Sequence, residues 1–456
     1  SSSSAASDVY KRQYLNVSNN SKQRVNSMSL RETDPEVYEF MQHELQRQKD
    51  VLNLIPSENY VSKSVLEAVG SVLNNKYSEG YSNKRYYQGN RWVDELELLA
   101  IERAKKLFGA EHVNVQPYSG SPANAAIYFA LLNPGDKIMG MKLDMGGHLT
   151  HGHKVNFSSR FYTSIPYVLD KKTHLIDLDA IKKQAIEEKP KIIVSGFTAY
   201  PRTIPFKEFH KIAEEVGAYS MADISHIAGL VAGGAHPSPF PFTDVVMTTT
   251  HKTLRGPRGA IIMCRKKDRL AKTEELNEIQ TSKEKDMALK IDRAVFPGLQ
   301  GGPHDNITAA KAAALGEALK PEFAEYANQI VKNAKALAEE LMSKGIKLVS
   351  DGTDNHLILM DLTPKGIGLG KSVAIALEEA GICTNANTVP YDPSTPFKPS
   401  GVRIGTPVLT TRGMKTSEMK LIGKWIAEVI DNPDSSEKKK KIRENVKELC
   451  SDFPFY

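Results

Sequence analysis

Five short apolar runs between residues 137 and 263, separated by longer amphipathic stretches, leave this chain few ways to fold. The runs lie near 137–143, 191–195, 219–223, 245–249 and 260–263. Residues 177–187 and 206–216 repeat their apolar side chains at helical spacing and supply crossovers between strands. Such alternation builds a mostly parallel sheet covered by helices on both faces, because each parallel connection needs a helix-sized return. The expected fold class is therefore α/β.

Helix signals bracket this region. Asp34 before Pro35 offers a cap and a first helical position, which predicts a helical arm. A second helix is expected over 93–108, with Gly109 as its stop, and a long one over 321–344, stopped by Gly345. A later apolar run at 357–360 suggests a smaller C-terminal α/β domain. The expected division is an arm over 28–75, a large domain over 76–315 and a small domain over 316–456. Residues 1–27 are Ser/Asn-rich without hydrophobic period and are expected to be an extraneous extension.

The run at 245–249 leads through Thr250 and His251 into Lys252, among small hydroxyls, and Gly256, Pro257 and Gly259 then force a turn. A lysine becomes a carbonyl-directed nucleophile when desolvation and nearby positive charge lower its pKa. His251, Arg255 and Arg258 are expected to supply that charge. A lone lysine closing a strand is more often solvated, so the assignment depends on the surrounding constellation. The run at 219–223 ends in Asp223, with His226 three residues on. At the carboxyl end of a parallel strand, an aspartate can hold the protonated ring nitrogen of pyridoxal phosphate. Alone it would read as a helix cap; with a strand-end lysine 29 residues later, the cofactor role explains it better. Ser119, Gly120 and Ser121 before an apolar stretch offer amides and hydroxyls for the phosphate at a helix N-terminus.

These residues belong to a longer series: LIPSENY at 54–60, NKYSEGY at 75–81, KRYY at 84–87, Ser119 to Ser121, GGHLTHG at 146–152, the Asp223 and Lys252 segments, GLQGGPH at 298–304 and GVRIG at 401–405. In this order and spacing the chain, from about Leu52 to its last residue, resembles serine hydroxymethyltransferase. The resemblance implies a pyridoxal-phosphate fold type I enzyme of one-carbon metabolism. Such an enzyme converts L-serine and tetrahydrofolate reversibly to glycine and 5,10-methylenetetrahydrofolate. It implies that His148 stacks on the cofactor, and that Thr198 and His226 lie near its phenolic oxygen with His251 beside Lys252. Tyr77, Gly301 and Gly302 would approach the phosphate from a partner subunit. Arg403 would clamp the substrate carboxylate, helped by Ser57 and Tyr86. Glu79 would take the serine hydroxyl proton and Tyr87 would assist imine exchange, both reaching across a homodimer; a tetramer is also compatible. Leu143, Gly147, Leu149 and Asn387 would meet the pterin. Pro56, Ser225 and the Tyr200, Pro201, Arg202 triplet depart from the commoner family pattern.

Composition sets limits. A chain of 456 residues with 40% hydrophobic content can bury a large core. The net charge of +6 is too small to suggest nucleic acid, and half of it lies in residues 1–27. The lysines at 438–441 read as a solvated helix face. No apolar run approaches the roughly 18 residues of a membrane span. Three widely spaced cysteines favour free thiols in a reducing, cytoplasmic setting. His148, His151 and His153 lack a carboxylate or cysteine nearby, so no metal is expected and His151 receives no role beyond support. Two rivals stand beside the transferase reading. An aldol enzyme of the same fold would share Lys252, Asp223 and His148, and a nucleic-acid-binding protein has only the small charge excess in its favour.

Overall fold

A computed structural model describes residues 28–274 and 276–456; the expected extension at 1–27 lies outside the described residues. The chain divides between Val51 and Leu52 into two compact units. In the first, Asp34 accepts the Val37 amide at 3.1 Å and Pro35 opens helix α1, Pro35–Asp50, as the sequence predicts.

The second unit holds two main sheets. The larger comprises β1 (His112–Asn114), β2 (Lys137–Met141), β3 (Thr163–Tyr167), β4 (Ile192–Ser195), β5 (Tyr219–Asp223), β6 (Val245–Thr249) and β7 (Ala260–Cys264). Their order is β1-β7-β6-β5-β4-β2-β3. From β6 to β3 every pairing is parallel, while β7 runs antiparallel to both β6 and β1. The turn after Lys252 thus makes a hairpin rather than a crossover. Along these strands side chains alternate between two cores: Met139, Met141, Ala222 and Val246 face one, and Ile138, Met221, Val245 and Met247 the other. Helices α2 (Arg91–Phe108), α4 (Leu178–Glu188) and α5 (Phe206–Glu215) cover the first face; α3 (Gly120–Leu131) covers the second. Gly109 ends α2 in the left-handed region, at φ 71°.

After α6 (Asp305–Ala318) and α7 (Pro321–Ser343), a smaller sheet forms from β8 (Lys347–Leu348), β9 (Leu357–Asp361), β10 (Asn385–Asn387) and β11 (Gly401–Gly405), in the order β8-β9-β11-β10. Ile358, Met360, Val402 and Ile404 share one core with Leu337 and Leu341 of α7. Arg403, between two of them on β11, must point from the other face, where its register partners are Leu359 and Asn385. The lysines at 438–441 lie on a helix, Ser436–Asp452, and Lys439 pairs with Glu379.

Candidate active site

Asp223 closes β5 and the segment carrying Lys252 follows β6, its parallel neighbour in the sheet. Both therefore open on the carboxyl-end side of the sheet, where crevices form in such folds. There they line a cavity of about 350 Å³ together with Ser57, Ser119, Gly120, Ser121, His148, Thr198, His226 and His251. Asn124, His151, Ser225 and Thr249 line it too, and none of these was singled out for this role by sequence, while Arg258, expected beside Lys252, lines it as well. Arg403 is buried at the edge of this site, its Nη1 donating to the Thr198 carbonyl at 2.7 Å.

The electrostatics divide the roles. Burial pushes the Asp223 carboxyl upward, but a 3.0 Å bond from His151 Nε2 and a 2.6 Å bond from Ser225 Oγ outweigh it, holding the group well below the usual carboxylate range. Asn124 adds a third donor at 3.2 Å. Asp223 is thus an anion with its oxygens fixed. Loss of water lowers the Lys252 ammonium to about 8; Asp223 opposes this and Arg403 and Arg258 reinforce it. Two sequence expectations are corrected here. His251, desolvated and beside Lys252, falls to about 3 and is a neutral neighbour. Arg255 adopts φ 60° and lies over the Tyr326 ring, 4.6 Å from its centroid, so the charge near Lys252 comes from Arg258 and Arg403. Burial likewise holds His148 at about 4, and its Nδ1 lies 2.7 Å from Thr150 Oγ1. His226 falls well below its ordinary value, and its Nδ1 sits 3.1 Å from His356 Nε2.

The cavity suits pyridoxal phosphate. His226 Nε2, Thr249 Oγ1 and His251 Nδ1 are buried without a hydrogen-bond partner and belong to lining residues, a costly arrangement that a polar ligand relieves. Ser119 sits at the N-cap of α3 with its side chain making no capping bond, which leaves hydroxyl and amides for an anion. A Cβ on Gly120 would come within 2.8 Å of Thr249 Cγ2, so only glycine keeps this cup open. Asp223 is a fixed anion, the kind of group a pyridinium nitrogen needs.

The remaining predicted residues fall into two groups away from the Lys252 cavity. Tyr77, Glu79, Tyr86, Tyr87, Gly301 and Gly302 do not line it. They gather elsewhere: Tyr77 donates to Glu79 Oε1 at 3.2 Å, its ring meets Tyr87 edge-on at 5.0 Å, and Gly302 lies against it. Arg85, on the hairpin strand Lys84–Arg85, donates to the carbonyls of Ser78 and Gly80 and so fixes the backbone on both sides of Glu79. Tyr77, Tyr86 and Tyr87 are 54%, 72% and 46% exposed. The second group surrounds the 146–152 loop. Leu143 lines a cavity of about 500 Å³ that shares His148 and His151 with the first. Gly147 is packed so that a Cβ would sit 2.0 Å from the Met141 carbonyl, and Leu149 is exposed. Asn387 donates to the Thr388 carbonyl, and Thr388 lines that second cavity.

The serine hydroxymethyltransferase family profile matches residues 30–426. Among curated relatives, a serine hydroxymethyltransferase of Acidothermus cellulolyticus is 54% identical over 93% of this chain and 96% of its own length. Others from Desulfotalea psychrophila and Sorangium cellulosum are 51% and 53% identical, over 93% of this chain and 95% and 96% of theirs. On the strength of this match over most of its length, the chain belongs to the serine hydroxymethyltransferase family.

Proposed function

We propose that Lys252 is the lysine through which this enzyme holds pyridoxal phosphate, with Asp223 at the ring nitrogen and Ser119, Gly120 and Ser121 at the phosphate. The reaction is the reversible conversion of L-serine and tetrahydrofolate to glycine and 5,10-methylenetetrahydrofolate, and the fold is pyridoxal-phosphate fold type I. The observation that carries the residue assignment is the pairing of an anionic Asp223 with a desolvated Lys252 on adjacent strand ends of one cavity.

When bound, the cofactor supplies the electron sink for the bond between the substrate's Cα and Cβ. The chain's own residues do the rest. Asp223, held by His151, Ser225 and Asn124, keeps a proton on the ring nitrogen. His148 would lie against the ring, and Thr198 and His226, with His251 beside Lys252, would hold the cofactor at the lysine end of the cavity. Arg403 binds the substrate carboxylate with its guanidinium, with Ser57 and Tyr86 assisting. Glu79 would accept the proton of the serine hydroxyl, and Tyr87 would hand a proton to or from the Lys252 amine.

Because Tyr77, Glu79, Tyr87, Gly301 and Gly302 lie together outside their own chain's cavity, with both tyrosines exposed and the other three half-buried, the proposal places them in the site of a partner subunit, in a homodimer. The pterin is assigned to the cavity beside Leu143, with Gly147, Leu149 and Asn387 at its margin. Segment 28–75 is read as an arm, 76–315 as the cofactor domain and 316–456 as the small domain, in a cytoplasmic enzyme. Among the described residues no helix is long and apolar enough to cross a membrane.

Visible absorbance tests the assignment. The protein with pyridoxal phosphate should show a band that changes on adding glycine and again on adding tetrahydrofolate. A band that ignores folate contradicts the transferase reading and favours an aldol enzyme of the same fold.

A further inference from the structure

The loop that follows Thr198 contains the Tyr200, Pro201 and Arg202 triplet for which the reaction supplies no role. Thr198 itself has one: its carbonyl takes Arg403 Nη1 at 2.7 Å, while Arg403 Nε is held by Asn385 Oδ1 at 3.1 Å. A guanidinium is a rigid planar fork, so these two bonds determine where the remaining Nη2 points. Any shift of the Thr198 peptide therefore turns the edge of Arg403 left for a carboxylate.

That peptide is gripped on both sides. Upstream, the Thr198 and Ala199 amides donate to the Gly146 carbonyl at 2.8 and 3.2 Å. Downstream, residues 350–355 of the small-sheet region close over the loop. The Pro201 carbonyl accepts the Asp354 amide at 2.8 Å and the Thr353 hydroxyl at 3.1 Å, and Asn355 Nδ2 reaches the Tyr200 carbonyl at 3.0 Å. Arg202 reaches back: Nε to Ser350 Oγ at 3.1 Å, Nη1 to Asp354 Oδ1 at 3.0 Å, and Nη2 to the Ser350 carbonyl. Ser350 and Asp351 hold φ values of 56° and 54°, which non-glycine residues adopt at a cost that surrounding contacts must offset. The same segment continues into β9, whose Leu359 is the register partner of Arg403. One stretch of chain thus sets both the strand carrying Arg403 and the loop that aims it.

We propose that Arg202, with Ser350 and Asp354, is a positioning clamp that sets the affinity of the site for the amino-acid carboxylate by fixing the Thr198 peptide against Arg403. The clamp rests on the reading of Arg403 as the carboxylate ligand. An ion pair with side chains 23% and 36% exposed is ordinarily worth little to stability, so the clamp's signature is in substrate binding and not in melting temperature.

Steady-state kinetics of the holoenzyme test it. Arg202→Ala should raise the KM for serine about tenfold, in the range expected for residues acting through a shared network, with kcat and the KM for tetrahydrofolate nearly unchanged. Arg202→Lys, which keeps a charge for Asp354 but loses the fork to Ser350, should recover part of the loss. A lower melting temperature with serine KM unchanged, or a parallel rise in both KM values, overturns the clamp. Arg403→Ala separates the two claims: if it loses serine affinity while Arg202→Ala does not, the clamp alone falls. If Arg403→Ala leaves serine affinity unchanged, the carboxylate assignment falls and the clamp falls with it.

Discussion

Lys252 acts on a carbonyl only as the free amine, and burial is what makes that form accessible near neutral pH. Its pKa is lowered from 10.5 to about 8, so the ammonium dominates below that value and the amine above it. The rate at which apoprotein captures pyridoxal phosphate should therefore rise with pH and level off above about 8. A rate still climbing towards pH 10 would mean an ordinary, solvated lysine, and Lys252→Ala should abolish lasting capture altogether. The lysine and its aspartate were legible because each ends an apolar run, a pattern that survives without knowledge of neighbours. The surroundings were not. Arg255 is adjacent in sequence, yet its positive φ turns it onto Tyr326, while Arg403, distant in sequence, supplies charge in its place. His151 looked like one of three loop histidines, and only folding brings its Nε2 to Asp223.

At the scale of elements, the central strands were readable because burial on both faces demands apolar residues throughout. The edges were not. Strand β3 pairs only with β2 and carries an exposed Pro166, with only Tyr167 of its five residues buried, as edge strands can, so its composition resembles a loop. Strand β1 has three residues, too few to show any period. The Lys252 segment is itself held by a short helix, Ala228–Ala232, whose Gly229 amide donates to Thr253 Oγ1 at 2.9 Å. A Cβ on Gly229 would fall 2.1 Å from the Thr253 carbonyl, a backbone atom that cannot swing aside. Gly229→Ala should therefore destabilise the protein by about 3 kcal/mol, the upper part of the range for overpacking, and weaken cofactor retention. Thermal melting with and without pyridoxal phosphate checks this; an unchanged midpoint would show that the segment has room to move.

At the scale of the whole molecule, one chain presents half of two different things: a cavity with Lys252 and Asp223, and a separate cluster in which exposed Tyr77 and Tyr87 flank half-buried Glu79. Exposed aromatic side chains beside a glutamate whose flanking carbonyls are held by buried Arg85 make sense as groups aimed at another copy. The proposal of a composite site is tested most directly by mixing two inactive proteins, Lys252→Ala and Glu79→Gln, and measuring folate-dependent cleavage of serine to glycine. With free exchange, half of the dimers are mixed and each has one intact site, so about a quarter of the wild-type activity should return. Demonstrated subunit exchange with no recovered activity would contradict the account, because it would put both residues in the site of a single chain.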